Sequence, residues 1–338
     1  MIKYTISIIV CVFTTWISTA INQNDESVNN LFLSDLEEQL GKDFSNKKPN
    51  LSLQGVSVKA GESIVKNGFV PKSLGKKSGQ QSKHFVCTSC HNVEREDPNL
   101  SILDPQARLD YVSSKGLPFL QGSPLYGVIN RSTYYNGDYY KKYGELVFKA
   151  QNNIREAIQL CAQECAQGRK LADWEVESIL AYFWTIGIKM NDLEISDVEN
   201  AAIRQAVNGK EPIMKTKALE LLSLKYTDKS DATFVPPPID RKIGNNLTGD
   251  KDNGYKIYKY SCLHCHQKQK YSYLDLDESN YSLNYLKRHL STYHRQSIYQ
   301  VTRWGVPVYS GKKSYMPQYT LERLSEQQLA DLVAFIKQ

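Results

Sequence analysis

The sequence predicts an all-α fold with two similar helical domains joined by a helical and proline-rich linker. A Cys-x-x-Cys-His unit occurs twice, at residues 87–91 and 262–266. Each half then closes with an amphipathic segment, and residues 171–183 align without a gap with residues 324–336. Their apolar positions coincide at helical spacing, which indicates an internal duplication. Between the halves, residues 235–238 include three successive prolines, which favour stiff, extended chain.

The N-terminus has the pattern of a cleavable export signal. Lys3 precedes an apolar run from Ile6 to Ile17, and Ser18 to Ala20 supply small residues at the cutting positions. The next residues, rich in Asn, Asp, Glu and Lys, are typical of a mobile segment. We therefore expect a signal peptide at 1–20, a flexible leader at 21–50, a first domain at 51–192, a linker at 193–249 and a second domain at 250–338.

Composition and charge indicate a globular protein with anionic partners. Hydrophobic residues make up 41% and charged residues 23% of the chain, and the net charge is +6. No nucleic-acid-binding motif accompanies this charge. After the signal, no segment reaches the roughly 18 apolar residues of a membrane span. We expect a soluble periplasmic protein with no membrane span after signal cleavage.

The repeated Cys-x-x-Cys-His unit predicts covalent haem attachment. Two thiols at this spacing add to the haem vinyl groups, and the adjacent histidine ligates the iron. Zinc would require both cysteine pairs, far apart in the sequence, to converge on one metal ion. A redox Cys-x-x-Cys motif has no reason to carry histidine twice. The prediction is two covalently bound haem c groups, with thioether bonds at Cys87, Cys90, Cys262 and Cys265 and proximal iron ligands at His91 and His266.

The second unit resembles the small monohaem cytochrome c domains over residues 250–338. Gly254, Tyr258 and Cys262 recur at intervals of four on one face of a first helix. Ser325 and Gln328 form a capping box that opens a last helix. The resemblance implies that the first helix runs into the haem unit and that the last helix crosses it.

The same resemblance implies a methionine as the second axial ligand of that iron. Met316, followed by a proline, lies between the haem unit and the last helix, where the family places this residue. A gap-filling core methionine is the alternative. His289 and His294 are competing ligands.

The first haem unit has no equivalent methionine. Neither Met nor a further His occurs between His91 and Trp184. The remaining candidates are Met190 or Met214 folded back, a Lys, an open position, or Cys161 and Cys165, which continue the apolar helical face of Ile154 and Ile158. Three alternatives stay open for the two thiols: Cys161 as an iron ligand, a Cys161–Cys165 disulfide, or plain buried thiols.

Several landmarks together resemble the dihaem thiosulfate dehydrogenases and the related SoxA cytochromes. In order these are Gly61–Val65, Cys87–His91, Pro124–Val128, Ile154–Ile158 and Gly168–Leu171. The resemblance implies that Cys161, seven residues before Gly168, lies on the distal side of the active haem. The chain differs from that family at Cys165 and in a tyrosine-rich loop at 134–140.

These observations predict two cytochrome c-type haem domains that transfer electrons. A donor or substrate would act at the first haem, and a redox partner cytochrome or terminal oxidase would accept electrons from the second. The alternative is a thiosulfate dehydrogenase-like oxidoreductase with a small anionic sulfur substrate, and a haem-based sensor is the third class. For the enzyme, the candidate catalytic residues are Cys161, Arg169 and Lys170, with assistance from Arg131 or Arg155.

Overall fold

The fold is helical throughout the part of the chain that the computed structural model describes, residues 31–292, 297–306 and 316–338. The prediction of an all-α fold is confirmed, since extended pairing in these ranges is limited to two isolated bridges. The predicted signal peptide, the first ten leader residues and His294 lie outside the described residues. Among the described helices, none has the length and apolar character to cross a membrane.

Fourteen α-helices are described in these ranges. They are α1 (Leu33–Gln39), α2 (Val58–Asn67), α3 (Pro105–Lys115), α4 (Tyr139–Tyr143), α5 (Leu146–Gln151), α6 (Ile154–Leu160), α7 (Asp173–Trp184), α8 (Asp197–Asn208), α9 (Pro212–Ser223), α10 (Lys251–Ile257), α11 (Leu263–His266), α12 (Asn280–His289), α13 (Ile298–Trp304) and α14 (Glu326–Ile336).

The chain divides into a smaller unit, ending at Phe44 and resuming at Gly187–Tyr226, and a larger unit, Ser45–Ile186 with Thr227–Gln338. The smaller unit contains α1, α8 and α9. Leu33 and Leu36 of α1 are buried, so this part of the leader is a packed helix rather than a mobile segment. The buried Glu37 carboxylate accepts hydrogen bonds from Lys42 Nζ at 2.7 Å and from the Tyr226 hydroxyl at 2.8 Å.

The predicted linker at 193–249 is divided between the two units. Its helical part is divided into α8 and α9, with Gly209 directly after the first helix and Pro212 at the start of the second. The segment after Tyr226 belongs to the larger unit, where Thr233 pairs with the Glu322 carboxylate and the Phe234 amide donates to Asp138. The proline-rich stretch therefore follows a segment that is packed in the larger unit, and it is not a free spacer.

Two equivalent helix crossings organise the larger unit. Helix α2 crosses α7, and α10 crosses α14. A Cβ atom at Gly61 would collide with the carbonyl of Ser178, and one at Gly254 would collide with the carbonyl of Asp331. Ser178 and Asp331 occupy matching positions in the two aligned closing segments. Each half thus begins with a glycine that lets its first helix approach the last helix closely.

The two halves share a hydrophobic core. Leu109 and Val112 of α3, from the first half, are fully buried in one cluster with residues of α10 and α14. Phe119 belongs to the same cluster and stacks on Tyr319 at a ring-centroid distance of 6.4 Å. The predicted boundaries at 51–192 and 250–338 therefore do not match the units of the structure, because a helix of the first half completes the core of the second.

The glycine crossings give a stability prediction. Gly61→Ala or Gly254→Ala should lower the free energy of unfolding by about 3 kcal/mol, because overpacking against a backbone carbonyl has no flexible side chain to absorb it. Urea denaturation monitored by circular dichroism measures this. Lys59→Ala and Lys251→Ala, at exposed positions of the same two helices, are the matched controls and should change little. Equal stability of the glycine variants and their controls would contradict the close approach.

Candidate haem sites

The first Cys-x-x-Cys-His unit lies on the wall of a cavity. Cys87 and Cys90, with a 3-10 turn between them, and His91 all line it. Nδ1 of His91 lies 2.6 Å from the carbonyl oxygen of Ser123, so Nδ1 carries the proton and Nε2 is the nitrogen with a lone pair. Burial lowers the pKa of His91 and keeps the ring neutral, the form that ligates a metal. The three residues therefore line one cavity, with the Nε2 lone pair of His91 available for a metal.

The cavity is mostly apolar, with a volume of about 190 Å³. The apolar side chains on its wall include Ile64, Phe85, Val128, Ile154, Ile179 and Phe183. A Cβ atom at Gly122 would overlap the His91 ring, so this glycine leaves space for the imidazole. The apolar lining and the neutral histidine fit a haem.

Both remaining cysteines line the same cavity. Residues Cys161–Cys165 form a π-helical turn after α6, and the Ala166 amide donates to the Cys161 carbonyl at 2.8 Å. The sequence predicted a regular helix here. Both thiols are free, and their side chains are hydrogen-bonded to each other. The disulfide alternative is thus not the form seen, and Cys161 lines the cavity that His91 also lines.

Cys165 lies in a polar corner of this cavity. The Tyr143 hydroxyl is 3.1 Å and the Tyr135 hydroxyl 3.8 Å from its sulfur. The hydrogen bond from Cys161, with those tyrosines and the nearby Lys142 charge, lowers the pKa of Cys165 to about 6. The same hydrogen bond, together with burial, raises the pKa of Cys161. The hydrogen bond between the two thiols therefore favours ionisation of Cys165 over that of Cys161.

The structure does not bring Arg169 and Lys170 to the cavity. The Arg169 guanidinium donates to the Glu175 carboxylate at 2.7 Å and to the carbonyls of Gly79 and Gln80. Lys170 is exposed outside the cavity lining. Arg155 likewise pairs with a carboxylate, that of Glu177. The two arginines hold backbone segments to helices α6 and α7 instead of facing the cavity.

Two other cations line the cavity. Arg131 is buried and donates to the Ser123 hydroxyl at 3.2 Å and to the Pro124 carbonyl at 2.6 Å. Lys142 is exposed at the mouth, with Nζ 3.4 Å from Oε1 of Gln318. Sequence reasoning missed Lys142. The signal was present in the tyrosine-rich loop, because Tyr139 and Tyr143 are spaced by four and bracket the lysine.

The second unit follows another π-helical turn, Tyr258–Cys262, and continues as α11. Nδ1 of His266 lies 3.0 Å from the carbonyl oxygen of Leu274, which again directs Nε2 to ligation. The capping box of Ser325 and Gln328 opens α14 as predicted. His289 lies on α12, where its Nδ1 is 2.8 Å from the Tyr285 carbonyl oxygen.

Met316 lies in an isolated bridge, accepting a hydrogen bond from the Val306 amide at 3.1 Å. Directly after it, Pro317 and Gln318 line the cavity of the first unit. The segment that carries the predicted second ligand thus also contributes to the wall of the first cavity.

The two Cys-x-x-Cys-His units contact each other. The Cys265 thiol lies 3.9 Å from the Ser89 carbonyl oxygen, and the His264 ring is hydrogen-bonded to the backbone of Thr88. Each contact joins a residue inside one unit to a residue inside the other. Groups attached covalently to the two units would therefore be neighbours.

The match to known families covers the second half. Residues 252–338 match the family model of cytochrome c, a region that contains Cys262, His266 and Met316. Comparisons with curated proteins and with solved structures found no match. The matched region supports a c-type cytochrome domain that binds haem c through its iron and transfers electrons.

The placement of Arg169 gives a second prediction. Arg169→Ala should destabilise the protein by about 2 kcal/mol at pH 7, because the Glu175 side chain is only 2% exposed and would lose its cation. This loss of stability is smaller than that expected for a fully buried ion pair, since the Arg169 side chain is 36% exposed. Lys170→Ala, one residue away and exposed, is the control.

This effect should depend on pH in a defined direction. The pKa of Glu175 is lowered in the folded protein, mainly by Arg169 acting against burial. The stabilisation by the ion pair is then fully present above the ordinary glutamate pKa of about 4.3. It is lost as the pH falls through the lowered pKa of Glu175 in the folded protein. Urea denaturation at pH 7 and near pH 3.5 should show the difference between wild type and variant shrinking at the lower pH. A pH-independent difference would contradict the ion pair as its cause.

Proposed function

We propose that this chain is a dihaem cytochrome c that transfers electrons from a donor or substrate at the first haem to an acceptor at the second. The contact between the two attachment units, with Cys265 Sγ 3.9 Å from the Ser89 carbonyl, is the observation that carries the proposal. When bound, each haem supplies a one-electron iron couple. Haems attached at these neighbouring points would lie close to each other, so an electron could pass from the first to the second.

The first haem is supported by this chain's own residues. Cys87 and Cys90 would form its thioether bonds, and His91 would hold the iron through Nε2. The Ser123 carbonyl fixes the tautomer of that histidine. The crossing of α2 and α7 beside this cavity repeats the crossing of α10 and α14 in the matched cytochrome c region.

At the second haem we assign Met316 as the ligand opposite His266. Its place before the last helix of the matched region supports this assignment. Methionine ligation raises the reduction potential of a c-type haem, which suits the second haem as the point of electron exit to a partner cytochrome or terminal oxidase. Export to the periplasm is part of the proposal and rests on Lys3 and the apolar run that follows it.

Haem content is the direct test. The denatured mature protein should weigh two haem groups more than its polypeptide, because four thioether bonds survive denaturation. Cys87→Ala/Cys90→Ala should lose one haem and keep the other, and Cys262→Ala/Cys265→Ala is the reciprocal control. Intact-mass spectrometry under denaturing conditions gives the count. A wild-type protein with one haem would remove the first site from the proposal.

A second candidate function is oxidation of small sulfur oxyanions at the first haem. The observation that favours it is the placement of Cys161 and Cys165 in the same cavity as His91. Joining two thiosulfate-type anions through a sulfur–sulfur bond releases two electrons, the number that two ferric haems accept together. A thiol there is placed to bind substrate sulfur, and Lys142 at the mouth is placed to attract the anion.

This activity is tested with oxidised protein and thiosulfate, sulfite or tetrathionate, using an artificial acceptor or donor. Cys161→Ala should lower turnover at least tenfold, since it removes the thiol that meets the substrate. Lys142→Gln should raise KM several-fold through loss of the charge, while Lys141→Gln, an exposed neighbour, is the control. Turnover unchanged by Cys161→Ala excludes a thiol mechanism. Absence of turnover with every substrate leaves electron transfer as the function.

A further inference from the structure

Cys165 contributes no step of its own to the functions considered so far, although its surroundings are specific. It shares the cavity wall with Cys161, and both thiols are free. Haem attachment uses the other four cysteines that the structure describes. The family resemblance assigns a place to Cys161 alone. A second thiol in hydrogen-bond contact with the first therefore needs its own explanation.

The two thiols are spaced by one helical turn along the chain. In a regular α-helix four residues advance about 6 Å at 1.5 Å per residue. Disulfides need a Cα separation of roughly 4.4–6.8 Å. A regular α-helix directs the two Cβ atoms poorly, but Cys161–Cys165 is a π-helical turn, closed by the Ala166 amide on the Cys161 carbonyl. Their side chains are already hydrogen-bonded.

The surroundings hold the Cys165 sulfur beside Cys161. The Tyr143 hydroxyl lies 3.1 Å and the Tyr135 hydroxyl 3.8 Å from Cys165 Sγ. The rings of these two tyrosines meet edge to face. Ala162, between the thiols, is buried, so the turn is anchored against the core. π-helical turns are rare and occur often at functional sites.

We propose that Cys161 and Cys165 form a redox-active dithiol that closes reversibly into a disulfide inside the first cavity. On closure the Sγ–Sγ bond forms, the protons that the two sulfurs still carry pass to water, and the two electrons would go one each to the two proposed haems in their ferric state. A small thiol reductant reverses the reaction by thiol–disulfide exchange.

This couple adds a two-electron centre to a chain whose haems each exchange one electron. It goes beyond electron transfer between haems, and it does not depend on a sulfur oxyanion as substrate. It uses the proposed haems only as electron acceptors. Closure also removes the Cys161 thiol from the cavity as a ligand or nucleophile.

The test uses the full haem-loaded protein, equilibrated with redox mediators at a series of potentials and then denatured in iodoacetamide. Trypsin cuts after Arg155 and Arg169, so residues 156–169 form one peptide with both cysteines. Mass spectrometry should find two added alkyl groups at low potential and none at high potential. The ratio should change tenfold per about 30 mV, the slope of a two-electron couple.

The variants separate this dithiol from other oxidation. Cys165→Ser should give one alkyl group at every potential and should retain two haems by mass. Tyr143→Phe removes a hydrogen bond to the sulfur of the reduced form, so at a fixed potential it should raise the disulfide-to-dithiol ratio several-fold. Tyr140→Phe, the exposed tyrosine of the same helix, is the matched control and should leave the ratio unchanged.

Three results would overturn the proposal. They are a wild-type peptide with two alkyl groups at every potential, a one-electron slope, and a disulfide that joins two protein molecules on a non-reducing gel. Haem mass measured on the same samples reports separately on the proposed first haem. Inactivity towards sulfur oxyanions would leave the dithiol couple standing.

Discussion

One buried carboxylate holds the two halves of the larger unit together. Glu96, just after the first Cys-x-x-Cys-His unit, is fully buried between Arg108 of α3 and Arg323, which precedes α14. Asn92 adds a hydrogen bond at 2.8 Å. The neighbouring arginines lower the pKa of Glu96 against the effect of burial, so it stays ionised. Removing one partner would leave an uncompensated buried charge, a loss of roughly 3–5 kcal/mol. Through Asn92, the residue that follows His91, this cluster is tied to the first attachment unit.

The difference between local and long-range interactions explains which parts of the fold were predictable. The two haem units and the two closing helices were readable because thiol spacing and apolar periodicity are local features. The domain boundary was not, since nothing local shows that Leu109 and Val112 pack against α10 and α14. The early helix α1 was missed for a similar reason. Its polar composition indicated mobility, and only its tertiary partners reveal that Leu33 and Leu36 are buried.

At the candidate site, the sequence indicated a thiol on an apolar face, but of the four basic residues that it indicated only Arg131 lines the cavity. Arg169 follows Gly168 closely, and only folding shows that Glu175 and two backbone carbonyls occupy its donors. Lys142 reaches the cavity because α4 packs its tyrosines against the thiols. The π-helical turn was also beyond sequence reasoning. It arises from a one-residue change in hydrogen-bond register, which side-chain periodicity does not encode.

The first cavity is built from both halves, and this couples its chemistry to the second haem unit. The Phe234 ring meets Tyr139 edge to face at 5.6 Å, and the Phe234 amide is held by Asp138 at 2.9 Å. The preceding Thr233 is fixed by the Glu322 carboxylate, beside Arg323 of the buried cluster. The tyrosines around Cys165 therefore take their positions from residues that precede the last helix. A first half on its own would lack this wall, so the thiol pair requires the entire larger unit.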